Sequence, residues 1–201
     1  MFAFTTLNAA TATTKGIEMD FQFAPFALYG FELHGSLNYN DAFYDVYPDA
    51  PCYAGQTIAE GCFTVVPRPT QDVTGKKLAN APEWTGSLGA SYETPVGSNL
   101  KLNISADGRF KSSYIVTPFA NPYARQDGYQ VLDAQIRLST EDDRYQAALI
   151  GRNLTNTFYI NGGQDGPSTG TGTGTPGGIP ADQFGYVADP RTVTLQFTVR
   201  Y

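Results

Sequence analysis

From Tyr29 to Asn40 the chain alternates strictly, with Tyr29, Phe31, Leu33, Gly35, Leu37 and Tyr39 on one side and Gly30, Glu32, His34, Ser36, Asn38 and Asn40 on the other. Side chains at i and i+2 share a face only in an extended strand, so this segment divides an apolar surface from a polar one. Strands of soluble sandwiches usually run about 5–6 residues. This one, at ~3.3 Å per residue and tilted ~45°, spans about 23 Å between its aromatic ends, close to the ~25 Å apolar band of a membrane barrel.

The pattern recurs along the chain. In Gly16 to Phe23, Ile17, Met19, Phe21 and Phe23 oppose Glu18, Asp20 and Gln22; further on, Trp84, Leu88, Ala90 and Tyr92 oppose Thr85, Ser87, Ser91 and Glu93. A fourth copy sets Leu100, Leu102, Ile104, Ala106 and Phe110 against Lys101, Asn103, Ser105, Asp107, Arg109 and Lys111, and a fifth sets Leu132, Ala134, Ile136 and Leu138 against Asp133, Gln135 and Arg137. In the sixth, Tyr145 to Tyr159, Leu149 and Ile150 compete for the apolar face. The last strand, Thr192 to Tyr201, places Val193, Leu195, Phe197, Val199 and Tyr201 on one face and Thr192, Thr194, Gln196, Thr198 and Arg200 on the other. Composition agrees: 41% of residues are apolar, yet no run approaches the ~18 needed for a membrane helix. The net charge of -6, with 13 scattered Lys and Arg, argues against a nucleic-acid surface.

Connections alternate between short, near Ala24 to Leu28, Pro95 to Ser98 and Glu141 to Asp143, and long, about Val46 to Leu78, Val116 to Asp127 and Asn161 to Asp189. Membrane barrels have short periplasmic turns and longer extracellular loops, which predicts a periplasmic C-terminus. Phe2 to Leu7 reads as a stump of one more strand entering a tight outer turn at Asn8 to Thr11, giving seven strands and a partial eighth. The start M-F-A-F-T-T-L-N lacks the features of a secretory signal. Met1 is therefore expected to be an internal or artificial start in a longer protein.

A chain ending on an aromatic residue in such a strand resembles bacterial outer-membrane β-barrels, whose terminal strand closes the barrel and is read by the barrel-assembly machinery. That resemblance makes Val193, Leu195, Phe197, Val199 and Tyr201 the assembly signal. More specifically, A-A-T-A-T-T-K-G-I-E-M-D (Ala9 to Asp20), L-A-N-A-P-E-W-T-G-S-L-G-A-S-Y-E (Leu78 to Glu93) and I-G-R-N-L-T-N-T-F-Y (Ile150 to Tyr159), followed by Pro190 to Tyr201, resemble TonB-dependent outer-membrane receptors. The resemblance implies an all-β fold, an antiparallel transmembrane β-barrel portion of about seven to eight strands from a 22-stranded barrel. Residues 1–201 would be its C-terminal segment, with the plug domain, the remaining strands and the TonB box outside them. It implies energy-coupled uptake of a large nutrient such as a siderophore, cobalamin or carbohydrate, with neither catalysis nor a cofactor. The implied partners are the TonB energy-coupling complex, the plug, the barrel-assembly machinery, lipopolysaccharide and lipid. The alternatives are a passive channel or small self-closing barrel, and a secreted soluble carbohydrate-binding β-domain.

Cys52 and Cys62, the two cysteines, lie in the first long loop. In an oxidising compartment they are expected to pair, closing a small ring worth roughly 2–3 kcal/mol. His34, the one histidine, has Ser36 and Asp20 nearby in sequence, but Ser36 merely shares its face, and a hydrated wall histidine is the expectation. Glu18, Asp20, Glu32, Lys101, Asp107, Arg109, Asp133, Arg137 and Arg152 are expected to form a polar ladder along the lumen. Thr74-Gly75-Lys76-Lys77 lacks the first glycine of a phosphate loop, since that position is Thr70. Gly162 to Gly178, with its T-G-T-G-T-G-T-P-G-G core, is too poor in apolar residues to pack and reads as a mobile outer loop. Asn103 and Asn153 begin sequons inside predicted strands. Phe43, Tyr44, Tyr47, Tyr53, Phe63, Phe119, Tyr123, Phe184 and Tyr186 divide between an interfacial girdle and ligand contacts.

Overall fold

The computed structural model describes residues 11–64 and 68–201. The predicted strand at Phe2 to Leu7, and most of the turn predicted after it, lie outside the described residues; Thr11, placed in that turn, opens the first strand instead. The chain begins with β1 (Thr11–Phe23) and β2 (Phe31–Val46), followed by the short strands β3 (Ala50–Pro51), β4 (Cys62–Phe63) and β5 (Thr70–Gln71). Two long strands come next, β6 (Trp84–Val96) and β7 (Leu100–Lys111), then short β8 (Tyr114–Ile115) and β9 (Arg125–Gln126). The remainder is β10 (Tyr129–Thr140), β11 (Tyr145–Arg152), β12 (Ile160–Asp165), β13 (Gln183–Val187) and β14 (Thr192–Val199).

Seven long strands form one sheet in the order β1-β2-β6-β7-β10-β11-β14, each antiparallel to its neighbours. It is a meander, because spatial order follows chain order. Its register carries the alternation across the whole sheet. Phe31, Tyr92, Ile104, Ile136, Leu149 and Leu195 make one continuous apolar row. Next to it on the opposite face runs Glu32, Ser91, Ser105, Gln135, Ile150 and Thr194. The competition between Leu149 and Ile150 is thus settled: Leu149 pairs with Leu195 on the apolar face and Ile150 with Thr194 on the polar one.

The predicted boundaries shift in a few places. β2 continues six residues past Asn40 because Asn40 N donates to Glu83 O, Leu78 N to Ala42 O and Tyr44 N to Lys76 O, extending the ladder into the base of the long loop. Pro95 and Val96 stay in β6, so that turn is shorter than predicted. β11 ends at Arg152, well before Tyr159, because Asn153 adopts a positive φ of 48°. Asn153 therefore lies in a turn and not in a strand, with its Nδ2 donating to Thr157 O and Asp189 O at 3.0 and 3.1 Å. Such a buried amide is closed to modification.

The apolar face of the sheet is exposed, with Ile17, Phe23, Leu88, Leu195 and Phe197 all more than half accessible. The buried residues concentrate elsewhere, in the connections that rise from one end of the sheet: Ala50, Tyr53, Cys62, Val73, Val116, Ala124 and Ala181.

Candidate functional site

Two surfaces carry chemistry, the polar face of the sheet and the layer of loops at its end. On the polar face much of the expected ladder forms, through Glu18, Glu32, Lys101, Asp107, Arg109, Asp133 and Arg137. Arg109 Nη1 donates to Asp133 Oδ2 at 2.9 Å, Arg137 Nη2 lies 3.7 Å from Glu93 Oε2, Gln22 Nε2 donates to Glu32 Oε1 at 2.9 Å and Asn38 Nδ2 to Glu18 Oε1 at 2.9 Å. Lys101 reaches down to Asp143 in a short turn at 2.8 Å, and this hydrogen bond holds the Asp143 carboxyl below its ordinary value. His34 Nε2 lies 3.0 Å from Asp107 Oδ1, while Ser36 Oγ meets Ser87 Oγ at 2.8 Å. Histidine and serine thus have separate partners, and no nucleophile–base pair is assembled between them. These are wall residues, half exposed and mutually hydrogen-bonded.

The apolar face changes character at one end. Tyr39 and Trp84 pack with ring centroids 4.8 Å apart, and two residues further along β2 the same face carries Asp41, bridged by Lys77 at 2.7 Å and Lys15 at 3.3 Å. Lys15 also sits over the Phe43 ring, 5.3 Å from its centroid. An aromatic pair followed by charge marks the interfacial boundary of the apolar band. Lys77 and its neighbours are used structurally: Gly75 N donates to Tyr44 O and Thr74 Oγ1 accepts from Tyr47 N, consistent with rejecting the phosphate-loop reading.

The loop layer differs from expectation most. Cys52 and Cys62 are bonded. Between them Thr57 caps a single turn of 3-10 helix (Ile58–Glu60), where Glu60 Oε2 accepts from Thr57 N and Oγ1, both at 2.8 Å, holding the Glu60 carboxyl below its ordinary value. Gly162 to Gly178 is not a loose strand of solvent-borne chain. It lies against this ring, with Gly174 N donating to Gln56 O at 2.9 Å, Ile58 N to Thr175 O at 3.0 Å and Gly55 N to Thr173 Oγ1 at 2.8 Å. The expectation that it could not pack is thus corrected: it packs by hydrogen bonds, which need no apolar area and which glycine and threonine allow at close approach.

A polar hub joins the loops. Asp165 accepts from Asn121 Nδ2 at 2.7 Å, Gln183 Nε2 at 3.0 Å and Ala54 N at 3.0 Å. Gln56, 2% exposed, donates from Nε2 to Gln71 Oε1 at 3.0 Å and Glu60 O at 3.1 Å; Gln71 Nε2 in turn donates to Pro51 O and Phe119 O at 2.9 and 2.8 Å. Tyr44, Tyr47 and Tyr53, expected in a girdle or against ligand, are buried inside this layer instead. Tyr44 and Tyr47 pack with Ala50 and Val73, and burial together with nearby Glu60 pushes the Tyr53 hydroxyl up to about 12. Tyr53 meets Tyr123 edge-on at 6.3 Å. The aromatics left on the surface are Phe63, Tyr123, Phe184 and Tyr186, each more than half exposed. Sequence reasoning missed Gln56, Gln71, Asn121 and Asp165 because each is an ordinary loop residue whose partner is distant in the chain.

The arrangement combines a two-faced antiparallel sheet with an ordered cap of loops at one end. Its relationship to known proteins agrees with that geometry. The family model described as TonB dependent receptor-like, beta-barrel, matches residues 2–162. No curated protein matches the chain.

Proposed function

The chain belongs to the TonB-dependent receptor-like β-barrel family, whose members are receptors and transporters of the bacterial outer membrane, and from that premise we propose that it forms the C-terminal part of the barrel of an active importer. The observation that carries the reading is the register, which keeps one face apolar and the other polar across seven strands while gathering the long loops at a single end. The apolar face then meets lipid and the polar face lines the lumen around a plug. The loop end is extracellular, the turns at Ala24 to Leu28, around Gly97 and at Glu141 to Asp143 are periplasmic, and so is the C-terminus. A large nutrient is captured at the loop layer, where Phe63, Tyr123, Phe184 and Tyr186 are exposed, and passes inward when the TonB complex remodels the plug. Lys15 and Lys77, beside the Tyr39 and Trp84 rings, lie at the height where lipopolysaccharide phosphates contact the wall.

Residues 1–201 are proposed to be one segment of the complete receptor, with plug and further strands supplied by the remainder of that protein. The free edges of β1 and β14 in the described sheet support this, since unpaired backbone groups in hydrocarbon cost several kcal/mol each. Accumulation of candidate nutrients in cells with and without the energy-coupling protein tests the reading. Loss of uptake without it is expected. Undiminished uptake would leave a passive channel.

The terminal strand is proposed as the signal read by the barrel-assembly machinery. β14 pairs with β11 through Val199 opposite Tyr145, Arg200 N donates to Arg144 O at 2.9 Å, and Tyr201 projects free and fully exposed. Tyr201 contributes little packing to the sheet, so deleting it is expected to lower the amount of inserted receptor without changing the stability of receptor that does insert. Equal insertion of the deletion variant, measured in outer-membrane fractions, would remove the role.

A further inference from the structure

We infer that the ring closed by Cys52 and Cys62 is the seat on which the Gly162 to Gly178 loop closes, so that the disulfide of one loop sets the position of another loop more than a hundred residues away in the chain. The inference concerns the loops alone and stands whether or not transport is energy-coupled.

Most of the hydrogen bonds between the two segments come from within the ring, and Thr64 Oγ1, two residues past Cys62, adds one to Gly174 O. Gly55 N, Ile58 N and Gln56 O bond to Thr173 Oγ1, Thr175 O and Gly174 N, and Ala54 contributes both its N, to Asp165 Oδ2, and its O, accepting from Ala181 N at 3.2 Å. Four residues of the ring, Ala54, Gly55, Gln56 and Ile58, thus present a backbone edge, and the Gly–Thr loop lies along it. Such an edge holds its shape only while both ends of a short segment are tied. The disulfide supplies that tie from below, and Gln56, buried and bonded to Gln71 and Glu60 O, supplies it from within. The Gly–Thr loop has little apolar area with which to order itself, and its residues have high unfolded entropy. It also turns back on itself through its own hydrogen bonds: Thr171 and Ile179 exchange N–H···O bonds at 3.0 Å, Thr175 Oγ1 donates to Gly172 O and Gly177 O, and Asp182 N donates to Thr169 Oγ1.

Close approach fixes the interface tightly. A Cβ at Gly178 would stand 2.2 Å from Gly55 O, whereas one at the adjacent Gly177 would meet nothing within 4 Å. The base of the same long loop also has anchors outside the ring. Asn121 Nδ2 holds Asp165, Tyr114 Oη donates to Ile160 O at 3.3 Å and Ile160 N donates to Gln126 Oε1 at 2.8 Å. The hairpin of β12 and β13 is therefore a fixed stalk, and the Gly–Thr segment beyond it is the lid that the ring keeps down.

Amide hydrogen exchange followed by mass spectrometry on the complete receptor tests this with three variants. In Cys52→Ser/Cys62→Ser, residues 169–181 are expected to exchange roughly tenfold faster or more, while β7 and β10 keep their protection. Gly178→Ala keeps the disulfide and every residue of the ring, presses mainly on the Gly55 carbonyl, and is expected to accelerate the same residues, with Gly177→Ala behaving as the parent. Unchanged exchange of residues 169–181 in the double serine variant would overturn the disulfide's role. Should that variant not assemble, Gly178→Ala decides: equal exchange in the two alanine variants would overturn the seat.

Discussion

The sheet and the loop layer answer the hydrophobic effect in opposite ways. In the sheet the large apolar side chains point outward and stay accessible, Leu195 at 63% and Phe197 at 73%, while charged and amide groups occupy the inner face. In the loops the apolar side chains Tyr44, Tyr47 and Val73 are enclosed, and the polar Gln56, Gln71 and Asn121 are enclosed with them. The first arrangement is stable where lipid covers the outside, and the second where water does. One chain therefore changes solvent rules at the level of Tyr39 and Trp84, and side-chain exposure means different things on either side of that boundary.

The sharpest way to break this comparison is to place one charge on each face of the same strand. Leu195→Arg is expected to destabilise the barrel of the complete receptor by about 2–4 kcal/mol, and Thr194→Arg by much less, because only the first carries its charge into lipid. Urea titration of receptor folded into lipid vesicles measures both. Equal losses would mean that the faces are assigned wrongly.

A smaller effect sharpens the loop side. Val73→Ala leaves a void beside Tyr44, Tyr47 and Ala50 and is expected to cost about 1–2 kcal/mol within the loop layer alone. Proteolysis between Val46 and Leu78 should quicken while the heat-resistant mobility of the folded barrel stays unchanged. A joint loss would mean that the loops and the barrel unfold as one unit.

Acid should produce the mildest change. Glu60 has its folded pKa lowered, first by the backbone N–H of Thr57 and then by the Thr57 hydroxyl. Its contribution is complete above its unfolded value near 4.5 and disappears as pH falls through the lower folded value. Proteolysis within the Cys52–Cys62 ring should therefore increase slightly on acidification below about pH 4.5 and less so in Glu60→Gln, which no longer titrates. An identical pH profile for parent and variant would show that the cap does not tie the ring.

How much could be read in advance differs between the two regions for a physical reason. Strand periodicity is local, so Tyr29 to Asn40 and Thr192 to Tyr201 declare their faces within a few residues, and even the ambiguity at Leu149 and Ile150 is resolved by their cross-strand partners. The loop layer is held by pairs such as Ala54 with Asp165 and Gly55 with Thr173, for which no period exists. Its polar residues resemble those of any solvated loop until the partner is known. Only the cysteine pair and the clustered tyrosines between Tyr44 and Tyr53 point to an interior, and sequence alone divides the tyrosines between a membrane girdle and ligand contacts.

The meander also bears on the speed of assembly. Every long strand pairs with its predecessor in the chain, so the search for partners proceeds hairpin by hairpin. The slow local steps should be joining β11 to β14 and β2 to β6; the connection of the latter is roughly five times longer than the turn between β1 and β2 and costs about 1.5 kcal/mol more to close. The ladder between residues 40–44 and 76–83 shortens that gap before β6 arrives. A loop that zips its own stem brings the next strand to the growing edge as a tethered neighbour, and the time during which that edge lies open to the wrong partner shrinks accordingly.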